Sequence, residues 1–164
     1  MKSALPAGAL LALACIIGPT QAAEDSGLAR MALCQDSWVD WSKTDRPRLD
    51  AFGKKFRANF THKNNDAFAV PNAPTTVLGL HVAQVYPESV GMGVGFSILV
   101  DASYDKSRAV LEKALGKKLR DCEASDGMHT CGLTISEQRT VTLMSEDVSM
   151  KKQALIGCYY YYEK

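Results

Sequence analysis

Four cysteines follow an N-terminal segment that has the features of a secretory signal peptide, and this combination limits the possible folds more than any other feature. The cysteines are Cys34, Cys122, Cys131 and Cys158. Disulfides persist in exported proteins and are rare in cytosolic ones. An even number of cysteines in an exported chain of this size therefore predicts two disulfides.

The signal peptide is predicted over residues 1–23. Lys2 supplies the positive start, Ala4 to Ile17 is an almost unbroken apolar run, and Thr20-Gln21-Ala22 offers small residues at the usual cleavage spacing. The apolar run is shorter than the ~20 residues that a membrane-spanning helix needs. We therefore expect export to the periplasm or the medium, a single globular domain over residues 24–164, and no membrane span in that domain.

Lipid attachment at Cys15 is an alternative interpretation of the same segment. Cys15 follows Ala12-Leu13-Ala14, which loosely resembles a lipoprotein cleavage site. Such sites normally have a larger aliphatic residue three positions before the cysteine, and cleavage here would leave a very short apolar run. Export without a lipid is the favoured expectation.

A turn signal favours one of the three disulfide pairings that four cysteines allow. Asp126-Gly127 lies between Cys122 and Cys131 and is typical of a tight β-hairpin, which brings its two strands together. The predicted pairs are therefore Cys122–Cys131 and, by elimination, Cys34–Cys158. The second pair would join the first helix to the last strand.

The N-terminal part of the domain has helical spacing. A first helix is predicted from Leu28 to Trp41 or Ser42 with Ser26 as its N-cap, and a second after Thr44 or Asp45 with Pro47 in its first turn. Residues 62–75, which contain two prolines, are predicted to be a loop.

The remainder has the alternation of β-strands with one helix between them. Strands are predicted over Val77–Tyr86 and Val90–Asp101, joined by a turn at Pro87-Glu88-Ser89, and a helix over Tyr104–Leu115 ending at Gly116. Four further strands are expected, at 118–124, 128–136, 139–145 and 153–162. This order predicts an α+β fold: N-terminal helices and a mainly antiparallel sheet of about six strands, with one intervening helix and two disulfides.

Three glycines, Gly91, Gly93 and Gly95, alternate along the predicted strand that begins at Val90. Glycine weakens a strand, so three on one face need a reason. Either the strip is a smooth backbone surface for a partner, or the protein's own side chains cover it.

A second unusual segment is the tyrosine run that follows Cys158. If Cys158 points inward, Tyr159 and Tyr161 point to the opposite face of the strand. Tyrosine is favoured at protein interfaces. It could equally fill space left by glycines on a neighbouring strand, as in aromatic rescue.

These segments and two turns supply the candidate partner-binding residues. They are Pro87, Glu88, Ser89, Gly91, Gly93, Gly95, Asp126, Gly127, Met128, His129, Tyr159 and Tyr161.

Motifs for catalysis and metal binding are weak in this sequence. His62, His81 and His129 lie far apart, no Cys-x₂₋₄-Cys pair exists, and no Gly-x-Ser-x-Gly elbow is present. We therefore expect no catalytic residue, metal or cofactor. The net charge of +1 gives no general attraction to nucleic acid.

A small exported domain with two disulfides fits a protein-binding role better than an enzyme. The expected function is an inhibitor or immunity protein whose partner is an envelope-acting enzyme or a toxin. This inference rests on an analogy with other small exported domains that carry disulfides. An envelope assembly or structural protein is the first alternative, and a small periplasmic hydrolase is the second. A second copy of the chain, forming a homodimer, is another candidate partner.

The cysteine pattern makes a direct prediction. Thiol titration of the exported protein, denatured without reductant, should find no free thiol, because all four cysteines are paired. Peptide mapping should recover the Cys122–Cys131 and Cys34–Cys158 pairs. A peptide linking Cys34 to Cys122 would contradict the pairing even if the thiol count were zero.

Overall fold

The computed structural model describes residues 22–37, 46–62, 67–91, 93–146 and 150–161. Residues 1–21 of the predicted signal peptide, including Cys15, lie outside these ranges. The first helix is shorter than predicted, because it ends at Ala32 and residues 33–37 are not helical. The rest of its predicted continuation, Trp38–Ser42, and the predicted caps Thr44 and Asp45 lie outside the described ranges.

The described residues form three helices and eleven strands. The helices are α1 (Ser26–Ala32), α2 (Arg46–Asn59) and α3 (Tyr104–Leu115). The strands are β1 (Ala23–Glu24), β2 (Phe60–His62), β3 (Ala69–Pro71), β4 (Thr75–Val77), β5 (Leu80–Tyr86), β6 (Ser89–Val90), β7 (Gly93–Val100), β8 (Glu123–Ser125), β9 (Met128–Ser136), β10 (Arg139–Glu146) and β11 (Ala154–Tyr160).

All eleven strands belong to one mixed, mostly antiparallel sheet. Its main order is β1-β4-β5-β7-β11-β10-β9-β8, with β2 paired to β3, β3 to β5, and β6 to β7. Among the described strands, only β1 and β4 pair in parallel. The α+β class is confirmed, but the sheet is larger than the six strands expected. The additional strands have two or three residues each, too few to show an alternating pattern.

The core lies between one face of the sheet and the helices. Leu28 and Met31 of α1 are fully buried, and this helix packs against β7 and β11. Leu111 of α3 is also fully buried, and α3 packs against β10 and β11. The sheet contributes alternate residues to this core: Phe96, Ile98, Val100, Val141, Leu143, Ala154, Ile156 and Cys158.

Both predicted disulfides are present, Cys34–Cys158 and Cys122–Cys131. Cys34 follows α1 with a left-handed φ of 56°, and Arg139 donates a hydrogen bond from Nη1 to the Cys34 carbonyl at 3.2 Å. The predicted N-cap of α1 was wrong by one residue. Asp25 caps the helix, because its Oδ1 accepts hydrogen bonds from the backbone N–H groups of residues 27 and 28.

Two buried carboxylates connect α1 to α2. Asp36 is 6% exposed, and its carboxylate contacts Arg30 at 2.8 Å and Arg48 of α2 at 2.6 Å. The N-cap Asp25 contacts Lys55 of α2 at 3.1 Å. Arg48 and Lys55 of α2 therefore pair with carboxylates of the same protein. This pairing offsets the free-energy cost of burying those charges.

The hairpin that contains the glycines turns at a different place from the one predicted. Val90 pairs with Gly93, so the chain reverses between these two residues and not at Pro87-Glu88-Ser89. Gly91 has φ +55° in this turn, a conformation that glycine adopts easily. Pro87 is buried, and Ser89 pairs with Val94, so both belong to the hairpin.

Gly95 lies at a close approach of β7 and β11, and its replacement tests how much space there is between the two strands. A Cβ at Gly95 would clash with the Cys158 carbonyl, which is backbone, whereas a Cβ at Gly132 would meet the Thr140 methyl at 3.3 Å. We expect Gly95→Ala to lower the free energy of unfolding by about 1–3 kcal/mol. Gly132→Ala, the matched control on β9, should change it by less than about 0.5 kcal/mol. Denaturant unfolding followed by circular dichroism measures both, and equal losses would contradict this packing.

Glu112 anchors the segment that leaves α3. Its carboxylate accepts hydrogen bonds from Lys118 Nζ at 2.6 Å, Arg108 Nε at 3.1 Å and the Leu119 backbone N–H at 3.2 Å. The hydrogen bond from Lys118 is the main cause that lowers the pKa of Glu112, and those from Arg108 and Leu119 lower it further.

This lowered pKa predicts a stability contribution that is lost in acid. A carboxyl with a lower pKa in the folded state stabilises the protein above the usual glutamate pKa of about 4.3 and loses that effect as the pH falls through the lower value. Glu112→Gln should therefore lower Tm at pH 7, and the difference from wild type should shrink below pH 4. The control Glu137→Gln, on the exposed β9–β10 turn, should melt like wild type. A Tm difference for Glu112→Gln that is independent of pH would contradict the assignment.

Candidate functional site

The sheet face opposite α1 and α3, called the open face below, has no helix packed on it among the described residues. On the central strands it carries the side chains that alternate with the core residues. The pairing of β10 with β9 and β11 aligns these side chains into rows that run across the strands.

One of these rows consists of small residues. Gly132 of β9 lies opposite Thr142 of β10, which lies opposite Gly157 of β11, which in turn lies opposite Ser97 of β7. The row on one side of it contains Met144 and Leu155, and the row on the other side contains Thr140 and Tyr159. A line of small residues between two lines of larger ones forms a trough across the sheet.

Tyr159 and Tyr161 project onto the open face at the end of β11. Their ring centroids are 4.7 Å apart. A Cβ at Gly93 would clash with the Tyr159 ring, so this tyrosine occupies the space that the missing side chain leaves. Of the two interpretations of the glycine strip, coverage by the protein itself applies at Gly93 and Gly95, where its own atoms lie against the strip. Tyr161 remains 51% exposed.

The β6–β7 hairpin folds over the open face and forms the wall at one end of the trough. The Val90 side chain would lie 2.6 Å from a Cβ at Gly95, and the Met144 methyl would lie 3.1 Å from one at Gly91. The tip of the hairpin therefore extends over β11 and reaches the side chain of Met144 on β10. The opposite wall is β9 with the short edge strand β8.

Together these elements enclose a groove of about 520 Å³. Its lining residues are Val90, Gly93, Asp121, Glu123, Thr130, Cys131, Gly132, Thr134, Thr140, Thr142, Met144, Tyr159 and Tyr161. Four threonines, two tyrosines and two exposed carboxylates provide polar groups, and none of the described residues that line the groove is basic. This volume lies within the range of ligand-binding clefts.

The structure brings together only some of the predicted binding residues. Gly93, Tyr159 and Tyr161 line the groove, and Gly91 lies in its hairpin wall. Strand alternation places Met128, which is 45% exposed, on the open face beside β8.

The other predicted residues lie outside the groove. Pro87 is buried, and Glu88 and Ser89 belong to the irregular part of the β5–β7 hairpin. Gly95 is buried beneath Val90. Asp126 and Gly127 form the predicted turn between β8 and β9, both with positive φ.

His129 lies on the helix side of the sheet, away from the groove. Its ring is 5.6 Å from that of Tyr104 in α3, and the Tyr104 hydroxyl contacts Cys131 Sγ at 2.9 Å. Burial raises the pKa of Tyr104, which keeps this hydroxyl protonated as a donor. His129 therefore packs beside the Cys122–Cys131 disulfide and does not share a surface with the tyrosines of the groove.

Sequence reasoning missed the threonines, the two carboxylates and Met144. The signal was present in β10, where Thr140 and Thr142 alternate with Val141 and Leu143. This alternation places the threonines on one face, but only the strand register shows which residues of β9 and β11 lie beside them.

Comparisons of this chain with known proteins found no match. No family model, no curated protein and no solved structure matches this chain. Within the described ranges, no helix combines the length and apolar character needed to cross a membrane. No three of the described His, Cys, Asp and Glu residues are grouped so that they could hold a metal ion.

Proposed function

We propose that this chain is an exported binding domain that recognises another protein through the groove on its open face. The observation that carries the proposal is the groove itself, a stretch of the central sheet that no described helix covers and that presents an exposed tyrosine and four threonines. The two disulfides fit an oxidising compartment outside the cytosol.

The composition of the groove supports a protein ligand. Aromatic side chains are enriched in the centres of protein interfaces and frequently carry much of the binding energy. Tyr161 and Met128 are two of the large apolar residues that the described structure leaves exposed, and both lie on the open face. Hydroxyl groups of Thr130, Thr134 and Thr142 offer hydrogen bonds beside them.

The rigidity of the groove supports an inhibitory role within this proposal. Its floor is the centre of the sheet, and the Cys34–Cys158 disulfide joins that floor to α1. A surface that is already ordered loses little entropy on association, which favours tight binding of a matching surface. We therefore propose that the partner is an enzyme or toxin that acts on the cell envelope, and that binding neutralises it.

The experiment compares two exposed side chains on opposite faces of the sheet. Immobilised wild-type protein, with its disulfides intact, is incubated with an envelope extract of the native host, and the bound partner is purified. Tyr161→Ala should weaken that partner's binding by about 30-fold or more, the loss typical of an interface hot spot. Val94→Ala, which truncates a residue 39% exposed on the helix side, should bind like wild type. Both variants should keep the wild-type Tm.

The activity of the recovered partner then separates the possible roles. Loss of its enzymatic or toxic activity at a stoichiometric amount of this protein supports an inhibitor or immunity protein. Unchanged activity would support an assembly or structural role instead. Wild-type affinity of Tyr161→Ala would show that the groove is not the binding surface. Turnover of peptidoglycan or peptides by the purified protein would show that it is a hydrolase.

A further inference from the structure

The charges that line the groove indicate which kind of side chain it can bind from a partner protein. Asp121 and Glu123 are both exposed, and no ion pair joins either carboxylate to another residue in the described part of the chain. Three other carboxylates, those of Asp25, Asp36 and Glu112, are neutralised within the protein, since each contacts one or two cations. The two carboxylates of the groove differ from these because their counter-charge is absent from the described residues.

Strand pairing fixes one of these carboxylates beside the floor of the trough. Glu123 of β8 lies opposite Thr130 of β9, and Thr130 lies opposite Met144 of β10. Asp121 lines the same groove two residues earlier. The negative charge is therefore concentrated on the β8–β9 wall, while the tyrosines lie at the β11 side.

We propose that the groove accepts a lysine or, preferably, an arginine side chain from the partner protein, an inference that rests on the function proposed above. A guanidinium is planar and forked, so it can pair with a carboxylate of the β8–β9 wall through two hydrogen bonds, while the exposed ring of Tyr161 contacts other parts of the partner. The threonine hydroxyls can accept further hydrogen bonds from it. Charge complementarity of this kind also accelerates association and disfavours partners that present an acidic group.

The test uses an arginine derivative as the probe. Isotope-labelled protein is titrated with N-acetyl-arginine amide, and backbone amide shifts are followed at Thr130, Thr142 and Tyr161. The same titration is run with the citrulline derivative, a neutral isostere, and with a chitin trisaccharide. We expect saturable shifts with arginine, and an affinity for citrulline about 3- to 10-fold lower, as expected for one or two exposed charge pairs. Higher salt should reduce the difference.

Charge-neutral variants supply the control. Asp121→Asn combined with Glu123→Gln should abolish the preference for arginine over citrulline. Asp105→Asn combined with Glu137→Gln removes the same charge at exposed positions that do not line the groove, and it should preserve the preference. Equal affinity for arginine and citrulline in the wild-type protein would overturn the proposal. Binding of the trisaccharide without binding of arginine would overturn it in favour of a glycan surface.

The same variants separate this inference from the proposed function. If the purified partner is lost by Tyr161→Ala but binds the Asp121→Asn/Glu123→Gln variant at full affinity, the groove binds a protein without a basic anchor, and only this inference is wrong. If both variants bind the partner like wild type, the proposed function is wrong as well. The result expected is that both variants lose affinity and the Asp105→Asn/Glu137→Gln variant does not.

Discussion

The Cys34–Cys158 disulfide fixes which face of the sheet the helices cover. Cys158 lies in β11, between β7 and β10, and Cys34 lies at the end of α1. The bond closes a loop with a sequence separation of 124 residues, and a loop of that length corresponds to about 5 kcal/mol on the chain-entropy model. It holds α1 over the centre of the sheet, where Leu28 and Met31 are buried. The apolar alternate residues of β7, β10 and β11 consequently point toward α1 and α3.

The open face follows from the same arrangement, because strand side chains alternate. Most core positions in β10 and β11 are apolar, and the positions between them are Thr140, Thr142 and Met144 in β10 and Leu155, Gly157 and Tyr159 in β11. Glycines at 95 and 157 bring β7 and β11 close together, and Tyr159 fills the space beside Gly93. The result is a trough with a floor of small residues and with polar groups around it. A surface of this kind, built on the centre of the sheet, is suited to binding a preformed partner surface.

Several parts of this structure could be predicted from the sequence because their signals are local. The Asp126-Gly127 turn signal located its hairpin and thereby the Cys122–Cys131 pair. The helical spacing of Tyr104–Leu115, followed by Gly116, located both ends of α3. The position of the glycine hairpin could not be predicted. Alternation continues unbroken through Val90, so nothing local in the sequence distinguishes the turn between Val90 and Gly93 from a strand. The groove could not be predicted from the sequence either. It depends on which residues of four strands lie side by side, and the strand register is set by the whole sheet.

The most direct test of this account asks whether the trough is open to solvent in the free protein. Methyl groups of Thr130, Thr134 and Thr142 can be compared with those of Val141, Leu143 and Ile156 by their relaxation in the presence of a neutral gadolinium chelate. The account predicts strong relaxation enhancement of the three threonine methyls and little enhancement of the three core methyls. Equal protection of both sets would contradict it, because it would mean that the face proposed to bind a partner is already covered.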